Sequence, residues 1–97
     1  MSETVQGSVI ITHDVGLHAR PSVKLTKLAK GFAAAIDIAA AEGGPWIDAK
    51  SIVKVMAMKV KQNATLHVRA SGADALAAVE AIVDLVRRDF DEAGNGH

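Results

Sequence analysis

The chain has 97 residues, no cysteine, and eleven basic side chains against eleven acidic ones. A chain of this length builds one core and has no room for a second, so residues 1–97 are expected to form a single domain; at 49% apolar and 3% aromatic residues that core must be aliphatic, and a disordered chain is excluded. Balanced charge argues against a general nucleic-acid binder, and without cysteine there is neither a disulfide framework nor thiolate chemistry.

From the N-terminus, Val5 to Thr12 alternates Val5, Gly7, Val9 and Ile11 against Gln6, Ser8, Ile10 and Thr12, which predicts a strand. A turn around Gly16 leads into a helix of about three turns, in which Pro21, Leu25, Leu28, Ala29 and Phe32 recur at helical spacing and Lys24, Lys27 and Lys30 occupy the other faces. Ala34 to Ala40, then the turn cluster Glu42-Gly43-Gly44-Pro45, then Trp46-Ile47 read as two strands joined by a hairpin, although the alanines alone would favour helix. Ser51 to Met58 is a short helix and Lys59 to Asn63 a connection. Thr65 to Ala70 alternates Leu66, Val68 and Ala70 against Thr65, His67 and Arg69, a half-buried strand with a wet face. Ser71 and Asp74 form an expected capping box for a last helix with the stripe Leu76, Val79, Val83, Val86 and Phe90, and the tail from Ala93 is expected to fray. The order strand, helix, strand, strand, helix, strand, helix suggests one sheet with a polar face and helices stacked on the other.

The richest stretch chemically is Gly16-Leu17-His18-Ala19-Arg20-Pro21. Glycine permits a sharp turn, and proline fits a first helical turn, where its missing N–H is no loss. Unpaired N–H groups at a helix start attract anions, and a guanidinium grips phosphate through two parallel hydrogen bonds. An imidazole nitrogen, often neutral near pH 7, is a nucleophile able to form a covalent intermediate. His18 and Arg20 are thus candidate phosphoryl-transfer residues. With Pro21 at the first helical position Arg20 is the cap.

Gly16 to Ser22 resemble the active-site signature of the HPr family, the histidine phosphocarriers of the bacterial phosphoenolpyruvate-dependent phosphotransferase system. Ala49-Lys50-Ser51-Ile52-Val53-Lys54-Val55-Met56 is similar to the regulatory serine segment of the same family, and the likeness extends over about residues 5 to 90. The resemblance implies an α+β open-faced sandwich, a four-stranded antiparallel sheet covered on one face by three helices. It further implies His18 as the cap of the first helix with Pro21 deeper in the first turn, phosphorylation at Nδ1 of His18 by enzyme I, contact of Arg20 with the phosphate, and onward transfer to a IIA-type acceptor domain. Ser51 is implied as a regulatory phosphorylation site for an HPr kinase in hosts that have one, and Lys24, Lys27, Ile52, Val53 and Met56 as the partner-binding surface.

Each residue also has a plain alternative. His18 alone is a loop histidine at a helix start; Ser51 or Asp48 caps the short helix; Ile52, Val53 and Met56 are core. The competing function is a regulatory interaction module whose phosphorylation state at Ser51 or His18 a partner reads, and a stand-alone enzyme is the weakest reading because nothing pairs with His18 in the sequence. His13, His67 and His97 lack the company a metal site needs, and Gly43-Gly44 opens no helix after a strand, so no metal, nucleotide or other cofactor is expected. No membrane span and no secretion signal is read, which gives a cytoplasmic expectation. Residues 18–30 carry Arg20, Lys24, Lys27 and Lys30 and no acid, whereas residues 74–92 hold six acids against Arg87 and Arg88, so a basic face beside His18 is expected to steer acidic partners. Val23, the long stretch Glu42 to Trp46, Lys54 and Lys59 depart from the family pattern beside that surface, and suggest a carrier dedicated to one specialised branch.

Overall fold

The computed structural model describes residues 4–12 and 19–90. The expectations placed on His13, Gly16, Leu17, His18 and the tail therefore lie outside the described residues. The elements are β1 (Thr4–Ile10), α1 (Ala19–Lys30), β2 (Ala35–Ala39), β3 (Ile47–Asp48), α2 (Ile52–Ala57), β4 (Thr65–Ser71) and α3 (Ala75–Arg87). The strands form one antiparallel sheet in the order β1-β4-β2-β3. This is the α+β open-faced sandwich, in the expected element order.

Strand pleating decides which side chains meet the helices. Leu66, Val68 and Ala70 of β4 and Ile36 and Ile38 of β2 are buried, and together with Leu25, Val55, Ile82 and Val86 they make an aliphatic core. The alanine-rich segment is a strand because β4 pairs it from Ala35↔Ser71 to Ala39↔His67, so a tertiary ladder overrides helix propensity. On the other face one row runs Gln6, Arg69, Asp37, Asp48 across all four strands. Arg69 bridges it: its Nε lies 3.3 Å from Asp37 Oδ2, and its guanidinium stands 4.2 Å over the Trp46 ring. His67 sits on this face, half-buried, as expected of a residue on the wet side.

Several boundaries and packing expectations are corrected. β1 stops at Ile10; Ile11 is fully buried and instead exchanges bonds with the chain before β4, Ile11 N–H donating to Ala64 O and Asn63 N–H to Ile11 O. Of the short pair Trp46-Ile47, it is Ile47 and Asp48 that pair with β2. The stripe on α3 is shifted in phase. Leu76 is 57% exposed, and the buried line is Ala75, Ala78, Val79, Ile82, Leu85 and Val86, with Val83 half-buried and Phe90 buried beyond the helix. Small residues explain the shift: alanines let α3 lie close to the sheet, so close that a Cβ on Gly7 would sit 3.0 Å from Val79 Cγ1.

The capping box is absent. Ser71 is the last residue of β4, and its hydroxyl meets Thr4 Oγ1 at 3.0 Å across the ladder. Asp74 takes the N-cap position without capping: its two oxygens accept from Ala33 N–H (2.9 Å) and Ala34 N–H (2.8 Å), tying the α1–β2 connection to the start of α3. These backbone donors hold the Asp74 carboxyl below the ordinary carboxylate range, with Lys50 adding to the effect and partial burial opposing it.

Candidate functional site

α1 begins at Ala19, so the chain enters the helix at the residue after His18. Pro21 is the third helical residue and is buried, where its lack of an N–H costs nothing because the first turn has no intrahelical acceptor. This excludes the alternative in which Arg20 caps the helix. Arg20 lies in the first turn, exposed, with no acid in that turn to neutralise it. The first-turn N–H groups and the guanidinium thus share one end of a twelve-residue helix, a positive end suited to a dianionic group.

The basic residues of α1 divide into two kinds. Lys27 and Lys30 are exposed in the last turn, where they complement the carbonyl end of the helix. Lys24 is half-buried, and its Nζ donates to the carbonyl of Phe90 at 2.9 Å. Lys50 is likewise committed, donating to Phe32 O at 2.7 Å. Lys27 on α1 and Lys54 on α2 are exposed.

α2 packs beside α1. Ser51 is its N-cap and half-buried, its Oγ accepting from Lys54 N–H at 3.4 Å; Asp48, the other cap candidate, accepts from Lys50 N–H instead. Only Val55 of this helix is buried. Ile52 is half-buried, Val53 is 75% exposed and Met56 41% exposed, and Val23 on α1 is 52% exposed. Exposed aliphatic side chains on two adjoining helices, beside Arg20, Lys27 and Lys54, make an apolar surface with a cationic rim.

Among the described residues no group of three or more His, Cys, Asp or Glu side chains is placed to hold a metal ion, and no helix is long and apolar enough to cross a membrane. Sequence reasoning missed the commitments of Lys24, Lys50 and Asp74, all of them made to backbone groups far away in the chain, for which no local pattern exists.

The chain was compared with known proteins. The sequence model of the family described as "PTS HPr component phosphorylation site" matches residues 5–88. The phosphocarrier protein HPr of Mycoplasma capricolum is 45% identical over 75 residues, covering 77% of this chain and 82% of that protein. HPr of Cupriavidus necator is 34% identical over 88 residues, 91% of this chain and 97% of the other. The crystal structure of HPr-C-His from Thermoanaerobacter tengcongensis superposes with a TM-score of 0.82 at 31% identity, covering 91% of this chain and 97% of that one. An exposed arginine in the first turn of a helix, that helix beginning one residue after a histidine, and a matching sequence and fold over almost the whole length lead to one conclusion: the chain belongs to the HPr family and is a phosphocarrier of the phosphotransferase system.

Proposed function

We propose that His18 is the residue that carries the phosphoryl group, accepting it from enzyme I and surrendering it to a IIA-type domain, and that Arg20 holds the phosphate while it is there. The observation that carries this reading is the start of α1 at Ala19, the residue that follows His18 in the chain, with an exposed guanidinium at Arg20 in the first turn of that helix. The imidazole nitrogen attacks phosphorus, a P–N bond forms, and the bond to the donor breaks with its electron pair staying on the donor; the return step is the same displacement in reverse onto the acceptor. Such a transfer has a loose, in-line transition state with charge spread over three oxygens, so positioning and a nearby cation are enough, and no second acid or base is required. The protein is then a stoichiometric carrier rather than an enzyme in its own right. The exposed face of Val23, Lys27, Val53, Lys54 and Met56, with half-buried Ile52, docks donor and acceptor in turn.

The test is labelling by phosphoenolpyruvate in the presence of enzyme I. The label is expected in an acid-labile, base-stable bond and is lost in His18→Ala. Arg20→Ala keeps its fold, since the side chain is exposed, and transfers roughly tenfold to a hundredfold more slowly. Transfer by that variant at the wild-type rate removes Arg20 from the mechanism, and labelling of His18→Ala removes the acceptor.

A second role rests on Ser51. Its hydroxyl stands at the N-cap of α2, on the helix that carries Val53 and Met56, so a phosphate there adds charge to the docking face without disturbing the core. Ser51→Asp is expected to weaken docking to enzyme I and leave the melting temperature nearly unchanged; unchanged docking refutes this role.

A further inference from the structure

The end of α3 carries an unusual backbone. Asp89 and Phe90 both have φ of 62°, two consecutive side-chain-bearing residues in the left-handed region. Such a turn persists only where its surroundings hold it. Here Phe90 N–H reaches back to Leu85 O at 2.8 Å and Asp89 N–H to Val86 O at 2.9 Å, while the Phe90 ring is buried to 2% exposure in the core.

The turn makes two further bonds, one to the chain just after β1 and one to α1. The Asp89 carboxylate accepts from the Thr12 hydroxyl at 3.3 Å, and the Phe90 carbonyl accepts from Lys24 Nζ at 2.9 Å. Thr12 is the last described residue before His18, and its own carbonyl takes a bond from Gln62 Nε2 at 3.3 Å. Lys24 lies one helical turn after Arg20 on the same face of α1. Two adjacent residues of a distant element thus grip the chain that leads into the His18 segment and the helix that leaves it.

We infer that Asp89 and Phe90 form a clasp that fixes the first turns of α1, and with them Arg20, relative to the end of β1, making Thr12, Lys24 and Asp89 positioning residues for phosphoryl transfer. This rests on His18 as the acceptor. It assigns Lys24 a role different from docking. A docking cation acts through long-range attraction, so its loss raises the donor concentration needed for half-maximal rate and the defect fades at high salt. A clasp acts on geometry once the donor is bound, so its loss lowers the rate constant at saturating donor and the defect persists in salt.

Lys24→Met and Thr12→Val keep the side-chain shape and remove one polar end each. Each is expected to lower the saturating transfer rate constant about threefold to tenfold at both low and high salt, whereas Lys24→Arg, which keeps the donor, and Asp89→Asn, which keeps the acceptor oxygen, transfer at close to the wild-type rate. The double variant is expected to lose no more than the worse single one, because both cut the same clasp. A readout independent of transfer is hydrogen exchange of the Val23 and Lys24 amides in the first turns of α1; exchange there accelerates several-fold in both variants while the β4 amides stay as in wild type. A loss confined to half-saturation and abolished by salt, transfer at the wild-type rate, or unchanged exchange at Val23 and Lys24 overturns the clasp. Should the wild-type protein take no label at all, the acceptor assignment fails, and the exchange measurement alone then decides the clasp.

Discussion

Asp74 occupies the place where a helix usually caps itself and spends its carboxylate elsewhere. Both oxygens serve N–H groups of Ala33 and Ala34, some forty residues away, and these would otherwise end the α1–β2 connection unpaired. A carboxylate that accepts two backbone donors prefers the ionised form, which is why its proton affinity falls below the ordinary value. A depressed folded-state pKa contributes stability above the unfolded value near 4 and loses it as pH falls through the folded one. Asp74→Ala is therefore expected to lower the melting temperature at pH 7, and its disadvantage shrinks below about pH 4, where the wild-type carboxyl also becomes protonated. Asp74→Asn keeps one acceptor oxygen and falls between the two. Thermal melts of the three proteins from pH 7 to pH 3 check this; parallel curves throughout would detach Asp74 from the acid sensitivity.

Between β4 and α3 the chain turns on Gly72, whose φ of 134° lies in the region that glycine alone takes readily. A Cβ there would also stand 3.1 Å from the Cα of Ala34, a backbone atom that cannot swing aside. Gly72→Ala is expected to cost about 1–3 kcal/mol, read from denaturant midpoints at unchanged m-value. This turn also shows where sequence reasoning stopped. Ser71 and Asp74 have the spacing of a capping box, but the β4–β1 ladder continues through Ser71 and the Asp74 oxygens are claimed from across the chain, facts with no local signature. For the same reason the α3 stripe was legible in period and not in phase: alanines weigh little in a hydrophobic pattern, yet they are what lets the helix lie against Gly7. The element order and the start of α1 beside His18 were legible to differing degrees. Alternation marked the strands and the glycine-proline punctuation marked the helix start, whereas the position of β4 between β1 and β2 came only with the tertiary ladder.

At the scale of the molecule, the proposed docking face and the core meet on α2 within a single turn. Val55 is fully buried between the helices and the sheet, while Val53, two residues before it, is 75% exposed. A six-residue helix is too short for its pattern to fix which side faces in, so the sequence left Ile52, Val53 and Met56 undecided. The structure separates them by burial, and burial separates their expected effects. Val55→Ala removes packed methyl groups and is expected to cost about 1–3 kcal/mol of stability with little change in transfer among the molecules that remain folded. Val53→Asp touches no core contact, so its stability is expected within about 0.5 kcal/mol of wild type. Its effect belongs to docking: a charge placed on an apolar surface rimmed by Lys27 and Lys54 must be desolvated whenever a partner seats there, and one such residue at the centre of a small interface is worth about 1–2 kcal/mol, roughly tenfold in the donor concentration at half-maximal rate. Titration of enzyme I against both variants separates the two, with the melting temperature of each recorded alongside. A Val53→Asp protein that docks as well as wild type would place the encounter surface elsewhere on the fold and leave α2 a structural helix alone.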